Sequence, residues 1–152
     1  MHNNIWYHLG LAYYLQNDLP NALQAFKACI ESSNNDDMYV SDSHWLYMIL
    51  KRMGLPEEAA KVLEPIHKDM TIIENIAYFN LLLFYKGELS LEDVSGNNSS
   101  GSSEAAKYGI ANWYHYNGNI AEAKKRYRQL IDSGNWAGFG YIAAEADLSR
   151  MK

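Results

Sequence analysis

One spacing constrains this chain more than any other. Trp6, Leu9, Gly10 and Tyr13 stand at three- and four-residue steps, and Ala22 and Phe26 follow one helical turn apart. Residues at such steps share one face of an α-helix. Between the two sets lie Asn17 and Pro20. Asparagine tolerates the left-handed backbone after a helix, and proline suits the first turn of the next one. The pattern predicts two antiparallel helices that approach closely at Gly10, where a larger side chain would hold the second helix off. Trp6, Tyr13, Ala22 and Phe26 are the expected packing residues.

The unit recurs. Gly54-Leu55-Pro56-Glu57-Glu58-Ala59 leads to Leu63, with Leu46, Tyr47 and Leu50 before it. Gly118-Asn119-Ile120-Ala121-Glu122-Ala123 leads to Tyr127, with Ile110, Ala111 and Tyr114 before it. Asn119 with Glu122 reads as a capping box. Between these copies lies a worn one. Its first helix is predicted from about Ile72 to Lys86, and its second, Leu89 to Val94, stops short. The stretch Ser95–Ser103 holds no apolar residue and reads as a flexible loop. From Trp136 to Met151, the residues Phe139, Ile142, Ala143, Ala146 and Leu148 mark an amphipathic helix without a partner. Such a helix commonly covers the open core of a last repeat.

Trp6 to Tyr13 matches W-x2-L-G-x2-Y at every fixed position, and Ala22 with Phe26 matches A-x3-F. The chain therefore resembles the tetratricopeptide repeat family, whose unit is about 34 residues. Its tail is similar to the ends of some uncharacterised bacterial members. The resemblance implies an all-α, right-handed helical-repeat solenoid with one degenerate repeat and a C-terminal capping helix. The repeats fall at about 3–36, 40–73, 73–103 (degenerate) and 104–135, with the cap at about 136–150, in a single domain of residues 1–152.

The resemblance also implies a binding surface, since first helices of such repeats line a concave groove. Projecting this chain on that geometry places Tyr7, Leu11, Tyr14, His44, Met48, Lys51, Leu81, Phe84, Tyr108, Asn112, His115 and Tyr116 in the groove. The set is aromatic and carries few charges. Some family members grip the C-terminal carboxylates of heat-shock chaperones through paired lysines and asparagines. Tyr7 and Leu11 stand where the first such pair would be, so that reading fails, although Asn112 and Lys51 remain suited to holding a ligand's backbone.

Charge and motifs exclude other classes. The formal net charge is -5, and the one basic cluster, Lys124-Lys125-Arg126 with Arg128, is diluted by Glu122 and Asp132. Nucleic-acid binding needs a basic face, so no nucleic-acid partner is expected. No apolar run reaches the roughly 18 residues of a membrane span, so no membrane insertion is expected. Cys29 is the single cysteine, which rules out an internal disulfide and reads as a buried, inert thiol. Met1-His2-Asn3-Asn4 does not read as a signal peptide, and the compartment stays open. Gly138 to Ala143 fits G-x-G-x-x-A, but helical sequence rather than a strand precedes it, and close helix packing explains the glycines. Glu64-Pro65-Ile66-His67 fits half of a di-iron ligand set without a second half. No catalytic residue, metal or cofactor is expected. The expected function is a protein- or peptide-binding scaffold. The alternatives are a self-associating module with its edge at Ile5 and Trp6, and a small-ligand or enzymatic site where His44, Tyr108 and His115 converge.

Overall fold

The structure, a computed structural model, describes residues 2–95, 104–136 and 138–151. Among the described residues every regular element is helical. In order they are α1 (His2–Leu15), α2 (Leu19–Ser32), α3 (Asp36–Arg52), α4 (Pro56–Leu63), α5 (Ile76–Lys86), α6 (Leu91–Ser95), α7 (Glu104–Tyr116), α8 (Ile120–Asp132) and α9 (Phe139–Arg150). The described residues form an all-α helical repeat, and the short α6 packs on α7. Backbone contacts group it into two compact units, Met1–Leu89 and Ser90–Lys152, where the sequence pointed to one domain. Apart from Ser95, which ends α6, the expected Ser95–Ser103 loop lies outside the described residues.

Local chemistry sets the helix ends. Asn17, Gly54, Gly87 and Gly118 all take positive φ after a first helix, as their residue types allow. The Asp18 side chain caps α2 by accepting from the Asn21 amide, and Asn35 caps α3 by accepting from the Met38 amide at 2.8 Å. Asp36 and Asp37 fill the first turn of α3 and Lys51 and Arg52 its last, each opposing the helix dipole. Asn119 caps α8 as expected, but Glu122 pairs with Arg126 at 2.9 Å instead of closing the box.

In the first unit, α1 meets α2 at Gly10. A Cβ there would stand 2.5 Å from the Phe26 ring, so only glycine fits. Ala22, Phe26 and Cys29 are fully buried behind this contact. Burial pushes the Cys29 thiol up to about 12. The inward line of α1 differs from the expected one. Trp6 and Leu9 are 40% and 38% exposed, and the inward line is Asn3, Tyr7, Gly10 and Tyr14. The cause is polar. The Tyr7 hydroxyl accepts from Trp45 Nε1 at 2.9 Å and from Ser41 Oγ at 3.1 Å. Asn3 Nδ2 donates to the Asp42 carboxylate at 2.8 Å, and the Tyr14 ring stands edge-on to Trp45 at 5.2 Å. These contacts rotate α1 toward α3 and turn Trp6 outward.

The α5 helix starts at Ile76 rather than Ile72 for a tertiary reason. The Asp37 carboxylate accepts from the amides of Ile73, Glu74 and Asn75 at 2.9, 3.1 and 3.2 Å and from Asn75 Nδ2 at 3.1 Å. Asp36 accepts from the Thr71 amide at 2.9 Å. A clasp on these amides holds the segment in a bend. Burial pushes the Asp37 carboxyl up, but the four donors outweigh it and hold it below its ordinary value.

In the second unit, α8 and α9 both pack on α7 and on each other. A Cβ on Gly140 would stand 2.7 Å from the Glu104 carbonyl oxygen, so close packing accounts for this glycine. The Tyr108 hydroxyl donates to the buried Asp147 carboxylate of α9, and its ring tilts against Tyr127 of α8 at 5.8 Å.

Two outcomes follow from this packing. Phe26→Ala should lower unfolding free energy by about 3–5 kcal/mol in urea titrations, whereas a loss under about 1 kcal/mol would contradict the Gly10 contact. Asp37 contributes stability that is complete above its unfolded pKa of about 3.9 and is lost as pH falls through the lower folded value. Asp37→Asn should therefore destabilise the chain at neutral pH and shrink the loss of stability below about pH 4.

Candidate functional site

The predicted groove residues divide by burial. Tyr14, His44, Met48, Leu81, Tyr108 and Asn112 are buried. This corrects their assignment to an open surface, because a partner cannot reach them in the folded chain. Tyr7, Leu11, Lys51, Phe84, His115 and Tyr116 are half-buried.

The α3 helix explains much of the correction. Every residue from Val40 to Leu50 is buried, because α2, α4 and α5 all pack on this helix. His44 lies stacked on Tyr78 at 4.5 Å and on Tyr85 at 5.9 Å, with Trp45 edge-on at 5.6 Å. Its Nε2 meets the Tyr85 hydroxyl at 3.2 Å, and its Nδ1 meets no hydrogen-bond partner among the described residues. Burial lowers its pKa to about 3, so the ring is neutral at ordinary pH. Tyr47 also stacks on Tyr85, at 4.6 Å and 12°. The tyrosines expected to make a sticky groove thus include core rings.

The expected convergence of His44, Tyr108 and His115 divides between units. His44 belongs to the first. Tyr108 and His115 belong to the second, where both rings meet Tyr127, and His115 Nδ1 lies 3.1 Å from its hydroxyl. Glu64 and His67 lie past the end of α4, off any helix. Among the described residues no three His, Cys, Asp or Glu side chains form a candidate metal site. An open pocket of about 570 Å³ lies over Asn35, Asp36, Asp37, Met38, Thr71, Ile73 and Glu74. Its two aspartates are engaged by backbone amides, so the clasp is structural.

Two surface features stand out instead. On α1, Ile5 is 60% exposed beside Trp6 and Leu9. Positions 5, 6 and 9 share one side of the helix, which runs from beside the inward line at Trp6 to the far side at Ile5. Sequence reading named Ile5 and Trp6 as a candidate edge, but it also read Trp6, like Leu9, as core. On α7 and α8, a pocket of about 240 Å³ is lined by Ser95, Lys107, Ile110, Arg126, Gln129, Leu130 and Ser133. Sequence reading missed it, since Arg126 looked like one member of a solvated basic run.

A family model described as tetratricopeptide repeat matches residues 5–33 and 105–133, the stretches of α1–α2 and α7–α8. Neither a curated protein nor a solved structure gives a significant match.

The buried histidine makes a testable mark on stability. Its folded pKa of about 3 lies below the unfolded value of about 6.5, so the unfolded chain binds the proton first. The stability it supports is complete above about pH 6.5 and falls by about 1.4 kcal/mol per pH unit below it. His44→Phe keeps a ring between Tyr78 and Tyr85 and should flatten the slope between about pH 6 and 4.5 in urea titrations. An unchanged slope would place His44 in contact with water.

Proposed function

We propose that this chain, whose α1–α2 and α7–α8 pairs are tetratricopeptide repeats, is a protein- or peptide-binding scaffold whose partner docks on the outer face of α1. Repeats of this kind generally mediate protein–protein interactions. The observation that carries the placement is the exposed stripe of Ile5, Trp6 and Leu9 on a helix whose other side is held by α2 and α3. Exposed apolar side chains grouped on one face mark interaction surfaces, and tryptophan is the side chain most enriched among binding hot spots. A partner laying an apolar helix face along α1 would cover all three.

A second reading uses the same stripe. An apolar face of this kind is self-complementary across a two-fold axis, so two copies can pair through it.

The test combines Trp6→Glu with Leu9→Glu, both at exposed positions, so melting should hold near the wild-type value. A photo-crosslinker at Ile5 identifies the neighbour, and the purified neighbour is then titrated against both chains. The double variant should bind at least about tenfold more weakly, which is about 1.4 kcal/mol. Normal binding by the double variant, with both chains monomeric in light scattering, would remove α1 as the surface. A wild-type dimer that the variant breaks would establish the second reading.

A further inference from the structure

The pocket on the second unit has a wall of one charge sign. From α8, Arg126, Gln129 and Leu130 enter it from one helix face, and Ser133, the residue that caps the helix end, joins them. From α7, Lys107 and Ile110 enter it three residues apart, and Ser95 closes the α6 end. Ile110 and Leu130 are buried and form an apolar floor. Lys107 and Arg126 flank that floor, and among the described residues no carboxylate belongs to the lining.

The guanidinium is held in place. Arg126 Nε donates to Glu122 at 2.9 Å, and the group lies over the Tyr114 ring at 5.0 Å. Its two terminal nitrogens meet no carboxylate among the described residues, and Lys107 makes no ion pair among them. A fixed guanidinium with open terminal N–H groups suits bidentate capture of a carboxylate. The chain as a whole carries a net charge of -5, and the hollow lies on its one basic stretch, where α8 carries Lys124, Lys125, Arg126 and Arg128. At about 240 Å³ the hollow is smaller than the usual 300–1,000 Å³ of small-molecule sites, and it suits side chains of a longer ligand.

We infer that this pocket docks an acidic segment of a protein partner, one that presents an aspartate or glutamate beside an aliphatic side chain. The carboxylate pairs with Arg126 and Lys107, and the aliphatic group rests on Ile110 and Leu130. Gln129 and Ser133 at the rim face the partner's backbone. The inference rests on the reading of the chain as a protein-binding scaffold, but it uses a surface in the other unit from the α1 stripe.

The probe is a fluorescein-labelled peptide of alternating glutamate and leucine, with both ends capped so that only side chains carry charge. A matched peptide with lysine for glutamate and an uncapped peptide with one terminal carboxylate but no glutamate serve as controls. With the full chain, the acidic peptide should shift the amide resonances of Lys107, Ile110, Arg126 and Gln129, and its affinity should fall as salt is raised. Gln129→Glu, at an exposed helix position, should weaken binding at least about tenfold without changing the melting temperature. Lys107→Gln should weaken it less. The Trp6→Glu, Leu9→Glu chain should bind the peptide normally, which separates this result from the α1 test. Equal binding of the lysine peptide, preference for the terminal carboxylate, shifts away from the pocket, or an undiminished Gln129→Glu affinity would each overturn the inference.

Discussion

On α3 the Asp42 carboxylate is 1% exposed and has no cation beside it among the described residues. Neutral donors meet it instead, Ser33 Oγ at 2.6 Å from just past α2 and Asn3 Nδ2 at 2.8 Å from α1. A buried carboxyl is costly unless its oxygens are bonded, and burial here pushes its pKa up. The first three helices, α1 to α3, therefore have to keep one arrangement around this group. Asn3 fixes the start of α1, Tyr7 is held four residues on by Ser41 and Trp45, and Tyr14 meets Trp45 two turns later. With those residues turned inward, helical geometry leaves Ile5, Trp6 and Leu9 outside. The exposed apolar stripe is thus a consequence of polar contacts made by the inward line of the same helix.

The helix pairs were legible because their signals are local. Asn17, Gly54, Gly87 and Gly118 mark turns by their own backbone freedom, and Gly10 with Phe26 marks one close approach. The rotation of α1 was not legible. Trp6 and Tyr7 are both aromatic, so apolar periodicity fits two neighbouring faces, and the choice fell to hydroxyl and amide groups whose partners sit 34 to 39 residues away. The start of α5 escaped for the same reason, since its clasp comes from Asp37 across 36 to 38 residues. His44 was projected into the groove, yet packing from α2, α4 and α5 on α3 encloses it. The cationic pocket needed Lys107 and Arg126 from different helices, and neither helix shows it alone.

The aromatic wealth of the chain serves the interior more than the surface. Tyrosine offers a large ring to bury and a hydroxyl that still needs a partner. Around α3 the rings of Tyr14, Trp45, His44, Tyr78, Tyr85 and Tyr47 form a continuous series of stacked and edge-on contacts. In the second unit Tyr127 joins Tyr108 and His115 in the same manner. The two surface features differ in chemistry, one apolar on α1 and one with basic side chains over α7 and α8, and each is built within its own unit.

The single cysteine turns the Gly10 contact into a built-in sentinel. Cys29 is fully enclosed at the α1–α2 seam, with Sγ 3.7 Å from the Asn3 carbonyl oxygen. Thiol reagents and oxidants act on the thiolate, which this site both shields and disfavours. Chemical attack on the Cys29 thiol therefore has to wait for α1 to lift from α2. The rate of alkylation of the native chain counts those openings of the first helix pair alone, since the second unit carries no cysteine to add to the signal.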